Sequence, residues 1–237
     1  MTGHLTIPPP AVPLTRDRLA LLPRRRLHAG RNPSKAAVDL VTIEGREVVV
    51  KDLAGRPWPV RVLLGPWQLD RETRAYRRLA GSPGIPGWLA RPDRLSIALT
   101  FVDGRTLADA RPGEIPPSFF DELERRVAEM HRRGVAHGDL HHRDVLAGRD
   151  GAPYLVDFST SLTIGPRAGA VRRFLFRQMC GADRRAVAKL RQRLLSEPGR
   201  ALPPRPALYR AGRAVKRLID LVRRRRPERR GGVPPAT

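Results

Sequence analysis

The chain has 237 residues, 41% of them hydrophobic and 29% charged, which is enough for one domain, or two lobes of one, with a buried core. This composition excludes a collagen-like repeat, a coiled coil and a wholly disordered chain, and no stretch reaches the roughly 20 uninterrupted apolar residues of a membrane span. With 46 Lys and Arg against 23 Asp and Glu the net charge is +23, split as +6 over residues 1–166 and +17 over residues 167–237.

A cationic field of that size draws phosphate-rich partners: nucleic acid, anionic lipid or a phosphorylated substrate. Nearly every basic residue is Arg, so a GC-rich coding bias explains the total but not the clustering. The single cysteine, Cys180, excludes an internal disulfide and a cysteine-built zinc site and suits a reducing compartment. Met1 to Pro10 has no charged-then-apolar leader pattern.

In chain order, residues 1–23 are Pro-rich and predict an extended arm. Ala37 to Ile43 and Glu47 to Leu53 are β-branched runs parted by Glu44-Gly45, a hairpin signal. Trp67 to Leu79 predicts a helix with Leu69, Thr73, Tyr76 and Leu79 on one face. Gly81 to Gly87 stops it, and Trp88–Ala90 and Leu95–Phe101 predict two short strands. After Val102-Asp103-Gly104 the texture changes. Phe119 to Arg133 predicts an amphipathic helix striped by Phe119, Leu123, Val127 and Met130, with Gly134 at its end. The apolar runs Val135-Ala136 and Tyr154-Leu155-Val156 each lead into polar and acidic residues. Ala182 to Leu195 predicts another helix, Pro198 to Pro206 a linker, Ala207 to Arg226 a basic amphipathic helix, and Pro227 to Thr237 a disordered end. Strands with one helix, followed mostly by helices, imply a small β-rich lobe and then an α-rich lobe.

The chemistry concentrates in His137-Gly138-Asp139-Leu140-His141-His142-Arg143-Asp144 and in Val156-Asp157-Phe158-Ser159. Phosphoryl transfer needs an acceptor hydroxyl held in line and Mg²⁺ to neutralise the phosphate oxygens. One Asp can orient and deprotonate the hydroxyl, and two further carboxylates suit Mg²⁺, a hard cation.

These segments resemble the protein-kinase-like superfamily. There a His-x-Asp catalytic loop is followed five residues later by a metal-binding Asn and then by Asp-Phe-Gly. The resemblance places Asp139 as catalytic base and Asp144 and Asp157 as the Mg²⁺ ligands. Val48-Val49-Val50-Lys51 resembles the strand that carries the ATP-pairing lysine, and Glu72 resembles the helical glutamate that positions it. Alone, each pattern is ordinary: Lys51 and Glu72 read as surface charges, and Asp157 as a turn former. Five elements in the right order on the right element types make the resemblance, which covers roughly residues 28–195. It implies an α+β, bilobal protein-kinase-like fold. The implied division is a Pro-rich extension over 1–27, a β-rich N-lobe over 28–102, a reduced helical C-lobe over 103–205, and a basic helix and tail over 206–237. ATP would lie between the lobes, with the backbone of Val102, Asp103 and Gly104 meeting adenine.

The sequence departs from the superfamily pattern at several points. Gly-x-Gly-x-x-Gly is missing, and Gly30-Arg31-Asn32-Pro33-Ser34-Lys35 stands in its place, so that Gly30, Ser34 and Lys35 are the candidates for covering the phosphates. This is more similar to the atypical RIO-type kinases and to the kinases of lipopolysaccharide core sugars (Kdo and heptose). Asp144 stands for Asn and Ser159 for Gly, and no Ala-Pro-Glu follows. His141 stands where classical protein kinases often carry Lys, as in small-molecule and sugar phosphotransferases of the superfamily. His137 is expected to brace the loop, and adjacent His141 and His142 diverge too far for a metal site.

The function implied is ATP-dependent phosphorylation of a hydroxyl, with a lipopolysaccharide core sugar as the first acceptor. The alternatives are a serine/threonine protein kinase and a pseudokinase acting as a basic adaptor. Three readings of Ala207 to Arg226 stay open: packing on the helical lobe, an anionic membrane surface, or an RNA or acidic protein partner. Too few aromatics interleave with its arginines for base stacking, so nucleic acid is not expected. The expected location is cytoplasmic, with a peripheral place at the inner membrane face as a variant. Oligomeric state is left open.

Overall fold

The computed structural model describes residues 13–30, 35–196, 201–204 and 206–207. In chain order the N-terminal part runs α1 (Arg16–Leu21), β1 (Arg24–His28), β2 (Ala37–Ile43), β3 (Arg46–Asp52), a π-helical turn (Val60–Leu64), α2 (Gly65–Arg78), β4 (Trp88–Asp93) and β5 (Ser96–Thr100). The remainder runs β6 (Gly104–Thr106), α3 (Pro117–Arg132), β7 (Val135–Ala136), β8 (Val145–Gly148), β9 (Pro153–Leu155), a 3₁₀ turn (Phe158–Thr160), β10 (Leu162–Thr163) and α4 (Ala170–Leu195).

The first five strands form one antiparallel sheet in the order β1-β2-β3-β5-β4. The β2–β3 hairpin turns at Glu44 and Gly45, both in the left-handed region at φ 51° and 73°, as a two-residue turn between right-twisted strands requires. Strand alternation then sorts the sheet's two faces. Val48 and Val50 of β3, with Val41 and Ala98, pack under Leu19 of α1. Lys51, one residue on from Val50, falls on the opposite face, where Ile97 and Leu99 meet Leu69 and Tyr76 of α2. The same core continues without a break into Phe119, Phe120, Leu123, Val127 and Met130 of α3, so the stripe expected on that helix is buried. Two small sheets, β6-β8-β9 and β10-β7, carry the loops between α3 and α4.

Two expectations are corrected. The extended arm expected over 1–23 is helical over Arg16–Leu21. Residues 16–21 form α1, and 24–28 form the edge strand of the sheet. All five residues of β1 are exposed, so no hydrophobic alternation announced it. What holds it is backbone pairing to β2 and the ion pairs of Arg24 and Arg26 with buried Asp39. The helix expected from Ala182 starts twelve residues earlier, at Ala170. Val171 and Phe174 in those first turns are exposed and show no buried stripe. The helix expected at Ala207 to Arg226 lies outside the described residues. Among the described residues no helix is long and apolar enough to cross a membrane.

Candidate active site

Lys51 is held from two sides. Its ammonium pairs with Glu72, whose side chain is only 2% exposed on α2, and with Asp157 Oδ1 at 3.3 Å. Burial disfavours the Lys51 charge, but Asp157 and Glu72 outweigh it and keep the ammonium above its ordinary range. Burial likewise opposes ionisation of Asp157, and there Lys51 and then Lys35 outweigh it, holding the carboxyl well below the usual carboxylate range. Lys35 Nζ lies 3.4 Å from Asp157 Oδ2 and donates to Ser159 Oγ at 3.1 Å. Ser159, which follows Phe158, is therefore a partner for Lys35.

Asp157 takes a left-handed conformation, φ 64° and ψ 64°, which Asp tolerates better than most residues. The residues around it fix that turn. The next side chain, Phe158, is wholly buried, with Tyr76 of α2 edge-on at 5.0 Å and the His137 ring at 5.2 Å. Arg71, one residue before Glu72, donates to the carbonyls of Thr160 and Ser161 at 2.6 and 2.9 Å. The helix that carries Glu72 and the segment that carries Asp157 are thus bolted together independently of Lys51.

The loop bearing Asp139 is braced from below. His137 Nε2 donates to the Val156 carbonyl at 3.0 Å, and Thr160 Oγ1 donates to the His137 carbonyl at 3.0 Å, so His137 has the structural role expected of it. Asp183 of α4, wholly buried, accepts from the amides of His137 and Gly138 at 2.8 Å each and from His131 Nε2 at 3.0 Å. Sequence reasoning missed Asp183 and Arg71, whose partners lie tens of residues away in the chain. Asp139, held by this loop, is exposed.

Asp144 is buried at the end of the loop. It accepts from the His141 amide at 3.1 Å and lies 2.5 Å from His141 Nδ1. Burial, followed by the neighbouring charges of Asp157 and Asp139, pushes its carboxyl up to about 8. A cation between Asp144 and Asp157 would relieve that repulsion. Among the described residues no three His, Cys, Asp or Glu side chains cluster closely enough to hold a metal by themselves. Two carboxylates fit Mg²⁺, which takes few protein ligands and completes its shell with phosphate oxygens and water.

Gly30 (φ 80°) sits against Arg56 and the Lys35 and Ala36 carbonyls, where a Cβ has no room; Ser34 lies outside the described residues. Val102 is half-buried between β5 and β6. At Gly104 a Cβ would lie 2.5 Å from the Ala147 carbonyl oxygen, so the approach of β8 accounts for that glycine.

No family model matches the chain. Among solved structures it is similar to the Rio2 kinase from Chaetomium thermophilum, with a TM-score of 0.55 and 16% identity over 74% of this chain and 57% of that one. The same kinase in an ADP/Mg²⁺-phosphoaspartate complex gives a TM-score of 0.53 and 16% identity over 73% and 55%. The fold is protein-kinase-like. It is bilobal, with a β-rich N-lobe and a reduced helical C-lobe, and the chain spans little more than half the length of those structures.

Proposed function

We propose that this protein is an ATP- and Mg²⁺-dependent phosphotransferase with a small hydroxyl-bearing molecule as acceptor. The observation that carries the reading is Lys51 pinned between buried Glu72 and Asp157, an arrangement that keeps a charged ammonium beside two carboxylates. Lys51 holds the α- and β-phosphates of ATP, and Glu72 fixes its position. Lys35, paired with Asp157 and Ser159, adds a second cation for the phosphates, with Gly30 and Ser34 as the expected cover. Val102 and Gly104 face adenine at the junction of the lobes.

Asp144 and Asp157 would hold Mg²⁺, which neutralises charge on the phosphate oxygens. Asp139, exposed on a loop whose backbone Asp183 anchors, orients the acceptor hydroxyl and takes its proton as oxygen attacks the γ-phosphorus. The presence of all three acids and the lysine favours an enzyme over a pseudokinase adaptor. A small acceptor, of which a core-sugar hydroxyl is one case, is favoured over a protein Ser/Thr by the short stretch after Asp157. Residues 158–169 make a 3₁₀ turn and pair β10 with β7 before α4 begins, leaving little chain for a peptide-docking segment.

The test is Mg²⁺-dependent ADP formation from ATP by the full chain, with Asp157→Ala and Asp139→Ala as comparisons. Both variants should lose at least 100-fold in turnover, the scale of general-base catalysis. Undiminished turnover in Asp157→Ala refutes its metal role.

A further inference from the structure

A cavity of about 480 Å³ opens beside the catalytic loop, with Asp139, His141 and His142 on one wall and Arg185, Lys189 and Arg193 of α4 on the other. Its size is that of a small-molecule site. The three α4 cations are spaced four residues apart, so they share one helix face and span about 12 Å at 1.5 Å per residue. Among the described lining residues Asp139 is the only carboxylate.

Several cations elsewhere in the C-lobe are compensated by acids. Arg125, Arg126, Arg132 and Arg133 of the α3 region all pair with Glu122 or Glu129, and Arg191 on another face of α4 pairs with Asp121. Among the described residues no acid pairs with Arg185, Lys189 or Arg193. Arg185 donates one hydrogen bond, to the neutral Pro203 carbonyl, and its Nε is buried without a partner. A buried guanidinium N–H left unpaired is costly unless something else accepts from it. Pro206, packed beside Gly181 of α4, also lines the cavity.

We propose that this cavity is the acceptor site and that the acceptor carries a phosphate group, held by Arg185, Lys189 and Arg193, which presents its free hydroxyl to Asp139. Arginine's fork suits phosphate oxygens, and lysine adds a mobile point charge. The inference rests on the phosphotransferase reading above. In the transfer, the acceptor oxygen forms a bond to the γ-phosphorus, the bond from that phosphorus to the β–γ bridging oxygen breaks, ADP leaves, and the hydroxyl proton passes to Asp139. The phosphate already on the acceptor is untouched and serves as the handle. A soluble sugar or polyol phosphate and a phospholipid headgroup offer the same chemistry.

The experiment is calorimetric titration of the full chain with glycerol 3-phosphate, glucose 6-phosphate and their neutral parents, with and without a saturating non-hydrolysable ATP analogue and Mg²⁺. The comparison proteins are Lys189→Glu/Arg193→Glu and, should that double variant lose its thermal transition, Lys189→Gln/Arg193→Gln. Saturable binding of a phosphate-bearing compound that persists beside the ATP analogue and weakens at least tenfold in the double variant is the expected result. Equal binding of neutral and phosphorylated compounds overturns the proposal, as does phosphate binding that the double variant retains. If the ATP analogue itself does not bind, the phosphotransferase reading fails separately. Competition by phosphatidylglycerol vesicles, but not phosphatidylcholine vesicles, against glycerol 3-phosphate assigns the handle to a lipid headgroup; no competition assigns it to a soluble phosphate.

Discussion

Asp183 and His137 are joined by a buried hydrogen bond: the carboxylate Oδ2 accepts from the His137 amide at 2.8 Å across 46 residues of sequence. The other oxygen takes the Gly138 amide. The loop that presents Asp139 is therefore set by a side chain of α4 that touches no reacting atom.

Replacing Asp183 should consequently cost both stability and rate. Asp183→Ala leaves two amides without their acceptor, at about 1–3 kcal/mol for each that stays buried. Thermal denaturation should show a clear drop in Tm, and ADP formation should fall even where the variant is fully folded. Asp183→Asn keeps one acceptor oxygen and should lose less of each. An alanine variant with unchanged Tm and unchanged turnover would contradict the anchoring role.

Lys51 and Glu72 give a prediction of opposite signs. Lys51→Met alone leaves Glu72 buried beside no cation, a loss of about 3–5 kcal/mol for a broken buried pair. Adding Glu72→Leu removes the stranded carboxylate and should recover much of that stability. On the proposed function, activity should be absent from both proteins, because neither would hold the ATP phosphates. Denaturant unfolding of the single and double variants measures the coupling; equal destabilisation in the two would mean that the pair is not coupled.

The pH dependence follows from Asp144. Its carboxyl is pushed up to about 8 in the folded protein but titrates near about 3.9 when unfolded. Between those values the folded state holds a proton that the unfolded state has released, so this group's contribution to stability falls as pH rises through that window. In metal-free buffer Asp144→Asn should flatten the decline and be more stable, relative to the unsubstituted protein, at pH 9 than at pH 5. It should also keep Mg²⁺-dependent turnover, since an amide oxygen can still serve as a ligand. A stability difference that does not change with pH would contradict the assignment.

How far the sequence foretold this molecule depended on whether a residue's partner was local. The β2–β3 hairpin was legible because Glu44-Gly45 separates two β-branched runs, and α3 because Phe119, Leu123, Val127 and Met130 repeat with the helical period. Lys51, Glu72, Asp139, Asp144 and Asp157 were legible through the order of their short motifs, and the structure brings Lys51, Glu72 and Asp157 into contact. Strand β1 was not legible, because an edge strand exposed on every residue has no alternation, and its three arginines read as solvated charge. Asp183 was not legible either. A single acid inside a basic helix gives no local sign that it caps a loop 45 residues earlier. The cations of the cavity were visible only as part of a general excess of arginine. That no acid among the described residues pairs with them is a tertiary fact.

The most direct test of the account is equilibrium binding of ATP to the full chain, measured by calorimetry with Mg²⁺ and with EDTA, for the unsubstituted protein and for Lys51→Met and Asp157→Ala. One saturable site that requires Mg²⁺, and that weakens at least tenfold in both variants while they keep a cooperative thermal transition, is the predicted result. Failure of the folded, unsubstituted protein to bind Mg²⁺-ATP, or equal binding by all three proteins, would contradict it.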